Sequence, residues 1–249
     1  TCYNMYYSEG LPAEHYENLK AFLEAGVKVK TVYLGVDDVT AFVDPTIHED
    51  QLIRKPFRAD EPEIQFLWDY LNPSIAVQSL ETIRAYQEKE PAFQERLYST
   101  GNYYLNTDLT EESLALEEWP NYFAWYGEGA IEDIKKVKQL CEENQIELIV
   151  FVNPEYEKRY AEAVENGYLT FLEELSEITD YYCFCGYNEI TQKMENFHDI
   201  SHYRQSVGDE MIQVMGKRAE AQPEELPGFG TYVTKENRQQ VLQALGEKN

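Results

Sequence analysis

Between Ile146 and Val152 every residue except Glu147 is apolar. A short apolar run of this kind marks a strand buried on both faces, and strands buried on both faces belong to parallel sheets. Parallel strands need long crossover connections, usually helical. The rest of the chain supplies them. Cys2 to Tyr7 reads as a short apolar and aromatic strand. A helix follows from Pro12 to Gly26, with proline at its start and glycine at its end. Val29 to Leu34 is a β-branched strand. Ala130 to Asn144 is an amphipathic helix. Glu155 to Ile178 is helical with an interruption at Gly167. Tyr181 to Phe184 is a strand, Tyr203 to Met215 a helix, and Lys235 to Leu245 a short terminal helix. Strand and helix alternating in this way predict an α/β fold, a parallel sheet with helices on both faces.

We expect one such domain over residues 1–249, with an insertion around 44–74 and a C-terminal extension from about 220. The insertion is Pro-rich and charged with little period. A helix from Ile75 to Gln94, broken at Pro91, follows it. Residues 99 to 126 read as an aromatic loop holding Trp119, Tyr122, Phe123, Trp125 and Tyr126. Those aromatics have the chemistry to stack on sugar rings, although such groups more often pack a core or a lid. Hydrophobic residues make up 43% of the chain and aromatics 14%, which supports a packed core and excludes wholesale disorder.

In an open α/β sheet, ligands bind at the carboxyl ends of the strands. The polar motifs fall there. Gly10 follows the first strand and Gly35-Val36-Asp37-Asp38 the second. Asn153-Pro154-Glu155-Tyr156 follows the third, and Gly186-Tyr187-Asn188 the fourth. The loop after the fourth carries Asp199-Ile200-Ser201-His202. A carboxylate three residues before an imidazole can hold the ring, fix its tautomer and stabilise its cation, which makes His202 a general base. The competing reading is a helix cap, with Asp199 or Ser201 starting the helix near Tyr203. A second alternative is metal, because His198 and His202 are four residues apart and would share a helix face.

The formal net charge of -25 argues against nucleic acid, which needs a basic footprint, and against docking on anionic lipid. The four cysteines Cys2, Cys141, Cys183 and Cys185 show neither a Cys-x-x-Cys pair nor a zinc spacing, and most read as buried free thiols. Cys183 and Cys185 share one strand face and are poorly placed to bond each other. No transmembrane run and no signal peptide is evident. The chain opens Thr1-Cys2-Tyr3 without methionine, so removal of a leading segment is expected.

These blocks, in this order, resemble the SGNH (GDSL-type) hydrolase superfamily. Within it the chain looks most like the bacterial envelope branch, which includes D-alanyl transfer proteins of teichoic acid and alginate O-acetylases. The resemblance implies a flavodoxin-like three-layer sandwich. It makes His202 the base, Asp199 its orienter and Gly10 a backbone oxyanion donor. The family's Gly-x-Asn-Asp block aligns with Gly35-Val36-Asp37-Asp38, and its late strand ending in proline with Phe151-Val152-Asn153-Pro154. The phrase Tyr187-Asn188-Glu189-Ile190-Thr191 also matches the envelope branch. Asn153 and Tyr156 are candidate substrate contacts.

Two departures stand out. Asp37 occupies the family's asparagine position, where an ionised carboxylate would repel an oxyanion. The serine block is absent, since neither Gly-Asp-Ser nor Gly-Ser-Ser occurs, and the family order puts it ahead of Thr1. Ser8 is the remaining low-ranked nucleophile candidate. The implied function is an extracytoplasmic esterase or O-acyltransferase acting on acyl esters of a cell-surface glycan, with no cofactor. The alternative is a catalytically silent relative that binds glycan or scaffolds an envelope assembly.

Overall fold

The computed structural model describes residues 5, 10–45, 59–69, 71, 73–87, 108–116, 125–217 and 228–247. In chain order its elements are α1 (Pro12–Glu24), β1 (Thr31–Val36), α2 (Asp38–Phe42), α3 (Glu63–Asp69), α4 (Pro73–Gln87), α5 (Glu111–Leu116), α6 (Gly127–Glu143), β2 (Glu147–Val152), α7 (Glu157–Glu165), α8 (Tyr168–Ile178), β3 (Tyr181–Cys183), a 3₁₀ turn (Met194–Asn196), α9 (Gln205–Lys217), β4 (Thr231–Val233) and α10 (Arg238–Gly246). The chain divides into two compact units, Thr1–Val27 with Pro45–Asn106, and Lys28–Asp44 with Thr107–Asn249.

The first unit holds α1, α3 and α4. Pro12 opens α1, where its missing N–H costs nothing. The Leu11 N–H is taken by Glu14 Oε2 at 3.2 Å. Glu17 Oε2 accepts from Ala59 N–H at 3.0 Å and so ties the turn before α3 to α1. Helix α3 lies inside the stretch expected to lack period; its first turn forms behind Pro62, whose carbonyl accepts from Gln65 N–H at 2.8 Å. The predicted strand Cys2–Tyr7 lies outside the described residues apart from Met5, and so do residues 88–94.

The second unit is built on a four-stranded sheet of order β1-β2-β3-β4. Strands β1, β2 and β3 run parallel, in register Leu34↔Val150 and Val150↔Tyr181. Strand β4 runs antiparallel to β3, with Tyr182 opposite Tyr232. The sheet is therefore mixed, whereas the sequence pattern predicts a parallel one. Three residues behind Gly228-Phe229-Gly230 are too few to show a period. Gly230 makes the turn possible: its φ is +85°, and a Cβ there would sit 2.5 Å from Val214 Cγ1.

Alternation decides which helix covers which face. Tyr181 shares a face with Val150, and its hydroxyl donates to the Leu172 carbonyl of α8 at 3.3 Å. Tyr182 points the other way and packs with Val207, Met211 and Met215 of α9, together with Phe184 and Phe229. Helix α8 begins after Gly167, whose φ of +104° produces the interruption seen in the sequence. Helix α9 starts at Gln205, two residues later than the sequence predicts. Among the described residues no helix is long and apolar enough to cross a membrane.

Candidate functional site

The loop from Phe197 to Tyr203 is closed by an antiparallel bridge between those two residues. His198 N–H donates to the His202 carbonyl at 2.8 Å, and Arg204 N–H to the Asn196 carbonyl at 2.8 Å. Its apolar residues point inward, where Phe197 and Ile200 are buried with Leu109, Leu114 and Tyr156. The Tyr156 and Phe197 rings meet edge-on at 5.9 Å. Arg204 reinforces the loop by donating to the Glu195 carbonyl at 2.8 Å and pairing with the Asp108 carboxylate.

Within this loop Asp199 receives three N–H donors. Its Oδ1 accepts from Ser201 N–H at 2.8 Å and His202 N–H at 2.9 Å. His202 Nδ1 stands 2.7 Å from Oδ2 and 2.9 Å from Oδ1. Burial opposes ionisation of Asp199, but the His202 hydrogen bond and charge, with the two backbone donors, outweigh it and hold the carboxyl below its ordinary range. The hydrogen-bond pattern assigns the proton to Nδ1 and makes Nε2 the basic nitrogen. The His202 side chain is half exposed, at 50%. The carboxylate thus makes a local turn and orients the ring at once. It does not cap α9, which begins three residues after His202. His198 and His202 lie on this loop and not on a helix, and among the described residues no group of three His, Cys, Asp or Glu side chains is placed to hold a metal.

The loop rests on the carboxyl end of β2. Tyr156 N–H donates to the Ile200 carbonyl at 3.0 Å, and Glu157 N–H to the Thr191 carbonyl at 3.0 Å. The Tyr203 hydroxyl reaches Asn153 Oδ1 in a long contact of 3.4 Å. Asn153 N–H donates to the Val36 carbonyl at 2.8 Å, next to Asp37. Asp199, His202, Asn153 and Tyr156 therefore gather at one sheet edge. The Tyr156 side chain is 4% exposed and supports the loop from beneath. Gly10 lies in the first unit, directly before α1, and Ser8 lies outside the described residues.

Asp37 caps α2. Its Oδ1 accepts from Thr40 N–H at 3.1 Å and Thr40 Oγ1 at 3.2 Å. Burial, then the neighbouring Asp38 charge, push its carboxyl up to about 6, against the pull of Thr40 and Arg159. Beneath it lies a cluster that sequence reading missed. Asp38 Oδ2 takes Arg159 Nε and Nη2 at 2.5 Å each, with both side chains 3% exposed. Glu155 Oε1 accepts from Asp38 N–H at 3.1 Å. Burial and the Asp38 charge raise the Glu155 carboxyl well above the carboxylate range, although Arg159 opposes them. Glu155 Oε2 and the Tyr168 hydroxyl are buried without a hydrogen-bond partner among the described residues. Asp38 and Glu155 were inside motifs already singled out. Arg159 gave no signal, because a lone arginine on an amphipathic helix reads as solvated surface.

The loop after β3 is held by its own polar residues. Asn188 Oδ1 accepts from Ile190 and Thr191 N–H at 3.0 and 3.1 Å, and Thr191 Oγ1 donates to the Gly186 carbonyl at 2.5 Å. Cys183 and Cys185 are buried free thiols with sulfurs 3.4 Å apart, and Cys141 is buried in α6. Of the aromatic group near residue 120, Trp119, Tyr122 and Phe123 lie outside the described residues. Trp125 packs edge-on against Phe42 at 5.8 Å, and the Tyr126 hydroxyl donates to Asp133 at 3.2 Å.

No known family model, curated protein or solved structure matches the chain.

Proposed function

We propose that this protein is an ester hydrolase or O-acyltransferase of SGNH type, with His202 as general base and Asp199 as its orienter. The observation that carries this reading is the Asp199–His202 contact at 2.7 Å, on a braced loop at the carboxyl edge of the sheet. The order of the sequence blocks supports it, and so do parallel strands with α8 and α9 on opposite faces, as a flavodoxin-like sandwich requires. In this reading, which requires a nucleophile that the described residues do not identify and that the family resemblance makes a serine, His202 Nε2 takes the proton of the attacking hydroxyl as its oxygen bonds to the acyl carbon. Asp199 stabilises the resulting imidazolium. The proton then passes to the departing alkoxide, which leaves an acyl-enzyme. Water or a glycan hydroxyl, deprotonated by the same nitrogen, releases or accepts the acyl group. The Asn153 amide, beside the base loop, is the proposed side-chain donor to the oxyanion.

The substrate class is an acyl ester of a cell-surface glycan, met outside the cytoplasm. The net charge of -25 fits a neutral or cationic surface better than nucleic acid or anionic lipid. The alternative is a catalytically silent relative that binds glycan or scaffolds an envelope assembly. One observation favours it: Asp37 stands at the family's asparagine position and is committed to capping α2. The deciding experiment is turnover of short acyl esters by the full-length natural protein and its His202→Ala variant. A fall on the order of a thousandfold supports the enzyme. Unchanged turnover removes His202 from the chemistry and leaves the silent relative.

A further inference from the structure

Residues Glu155, Tyr156 and Glu157 are consecutive, yet each is tied to a different segment. The Glu155 side chain accepts from Asp38 N–H, at the turn after β1. Tyr156 N–H holds the Ile200 carbonyl, inside the Asp199 turn, and Glu157 N–H holds the Thr191 carbonyl, in the loop after β3. The tripeptide itself follows β2. It is the point at which the carboxyl ends of three parallel strands and the base loop are joined. Two of the three ties are backbone bonds that any sequence can make. The third needs a long acceptor at residue 155 and no other position.

We propose that Glu155 is a positioning residue of the Asp199–His202 dyad, acting through this junction. Its side chain is 2% exposed and so takes no part in the chemistry directly. Burying a carboxyl with one oxygen unpartnered is costly, and an apolar residue would fill the space at less cost. What the carboxyl adds is direction: it satisfies Asp38 N–H at the open start of α2 and locks the tripeptide against β1. Without that tie the backbone at Tyr156 keeps only the Asp38–Arg159 pair, one turn further on, as its side-chain link to α2, and the Ile200 carbonyl shifts with it. Asp199 is the residue before Ile200, so its carboxylate shifts relative to the ring it orients. The high Glu155 pKa agrees with this role, because a neutral acid still accepts through its carbonyl oxygen.

The activity arm of the test rests on the acyl-transfer reading, and the spectroscopic arm does not. In the full-length chain, Glu155→Gln keeps an oxygen for Asp38 N–H, while Glu155→Met fills the volume without one. The readouts are kcat and KM on a short acyl ester, and the downfield proton resonance of His202 Nδ1–H held by Asp199. Glu155→Met should lower kcat on the order of tenfold with KM little changed, and broaden or shift that resonance. Glu155→Gln should keep both near wild type. A folded Met variant with an unaltered resonance overturns the proposal. So does a Gln variant as damaged as Met. Should Met fail to fold, Glu155→Leu takes its place under the same criteria. If His202→Ala leaves turnover unchanged the acyl-transfer reading fails, and the resonance alone still decides the role of Glu155.

Discussion

Asp38 and Arg159 are 121 residues apart in sequence and form an ion pair in which Nε donates to Oδ2 and Nη2 stands at the same oxygen, both at 2.5 Å, with both side chains 3% exposed. The pair clamps the first turn of α2, which follows β1, to α7, which follows β2.

Arg159→Met therefore leaves a buried carboxylate without its cation. Urea denaturation should show a loss of about 3–5 kcal/mol. A double variant, Asp38→Leu with Arg159→Met, should recover much of that, because it removes both desolvated charges. A single variant within about 0.5 kcal/mol of wild type would mean that the pair is not buried in solution.

Asp37 makes stability fall as pH rises. Its folded-state pKa is raised to about 6, so the folded protein holds this proton more tightly than the unfolded chain does. The contribution is complete below about 3.9, the unfolded value, and is lost as pH climbs through about 6. Asp37→Asn keeps the capping oxygen and carries no charge. Its melting temperature at pH 7 should exceed wild type by roughly 2–4 °C, the shift expected for about 1 kcal/mol in a chain of this size. The difference should shrink toward pH 4. A variant less stable than wild type at pH 7 would show that the charge is favourable there.

Asp199 works in the opposite sense. Its folded-state pKa is lowered, so its contribution is present above the unfolded carboxylate range near 3.9 and is lost as pH falls below it. Asp199→Asn should flatten that acid limb of the stability profile. In turnover assays it should cost less than His202→Ala, since it leaves the ring in place and disturbs only its tautomer. An acid limb identical to wild type would place the Asp199–His202 contact outside the stable fold.

Two glycines with positive φ should respond unequally to alanine. At Gly167 a Cβ comes no closer than 3.5 Å to Trp125, so Gly167→Ala meets only the backbone penalty, about 1 kcal/mol. At Gly230 the Cβ would also strike Val214 at 2.5 Å and Phe184 at 2.9 Å, and about 2–3 kcal/mol is expected. Thermal melts of the two variants measure the difference. Equal losses would mean that the β4 turn relaxes freely.

The sequence by itself determined the elements whose signal is local. The apolar run at Leu148 to Val152, the amphipathic helix around Val137 and the break at Gly167 follow from side-chain period and backbone freedom within one segment. Asp199 and His202 were readable for the same reason: three residues of spacing already bring a carboxylate to an imidazole. Strand β4 was not readable, because Thr231–Val233 pairs with β3 across nearly 50 residues and is too short to show alternation. The placement of Asp37, committed to Thr40 and pushed up by its burial, also needed the folded surroundings. Tertiary structure alone decided the Asp38–Arg159 pair and the Glu155 junction. Their partners lie on different elements, and a buried charge has the same letter in a sequence as one in water. Only packing takes the water away and turns those residues into a frame beneath the Asp199–His202 loop.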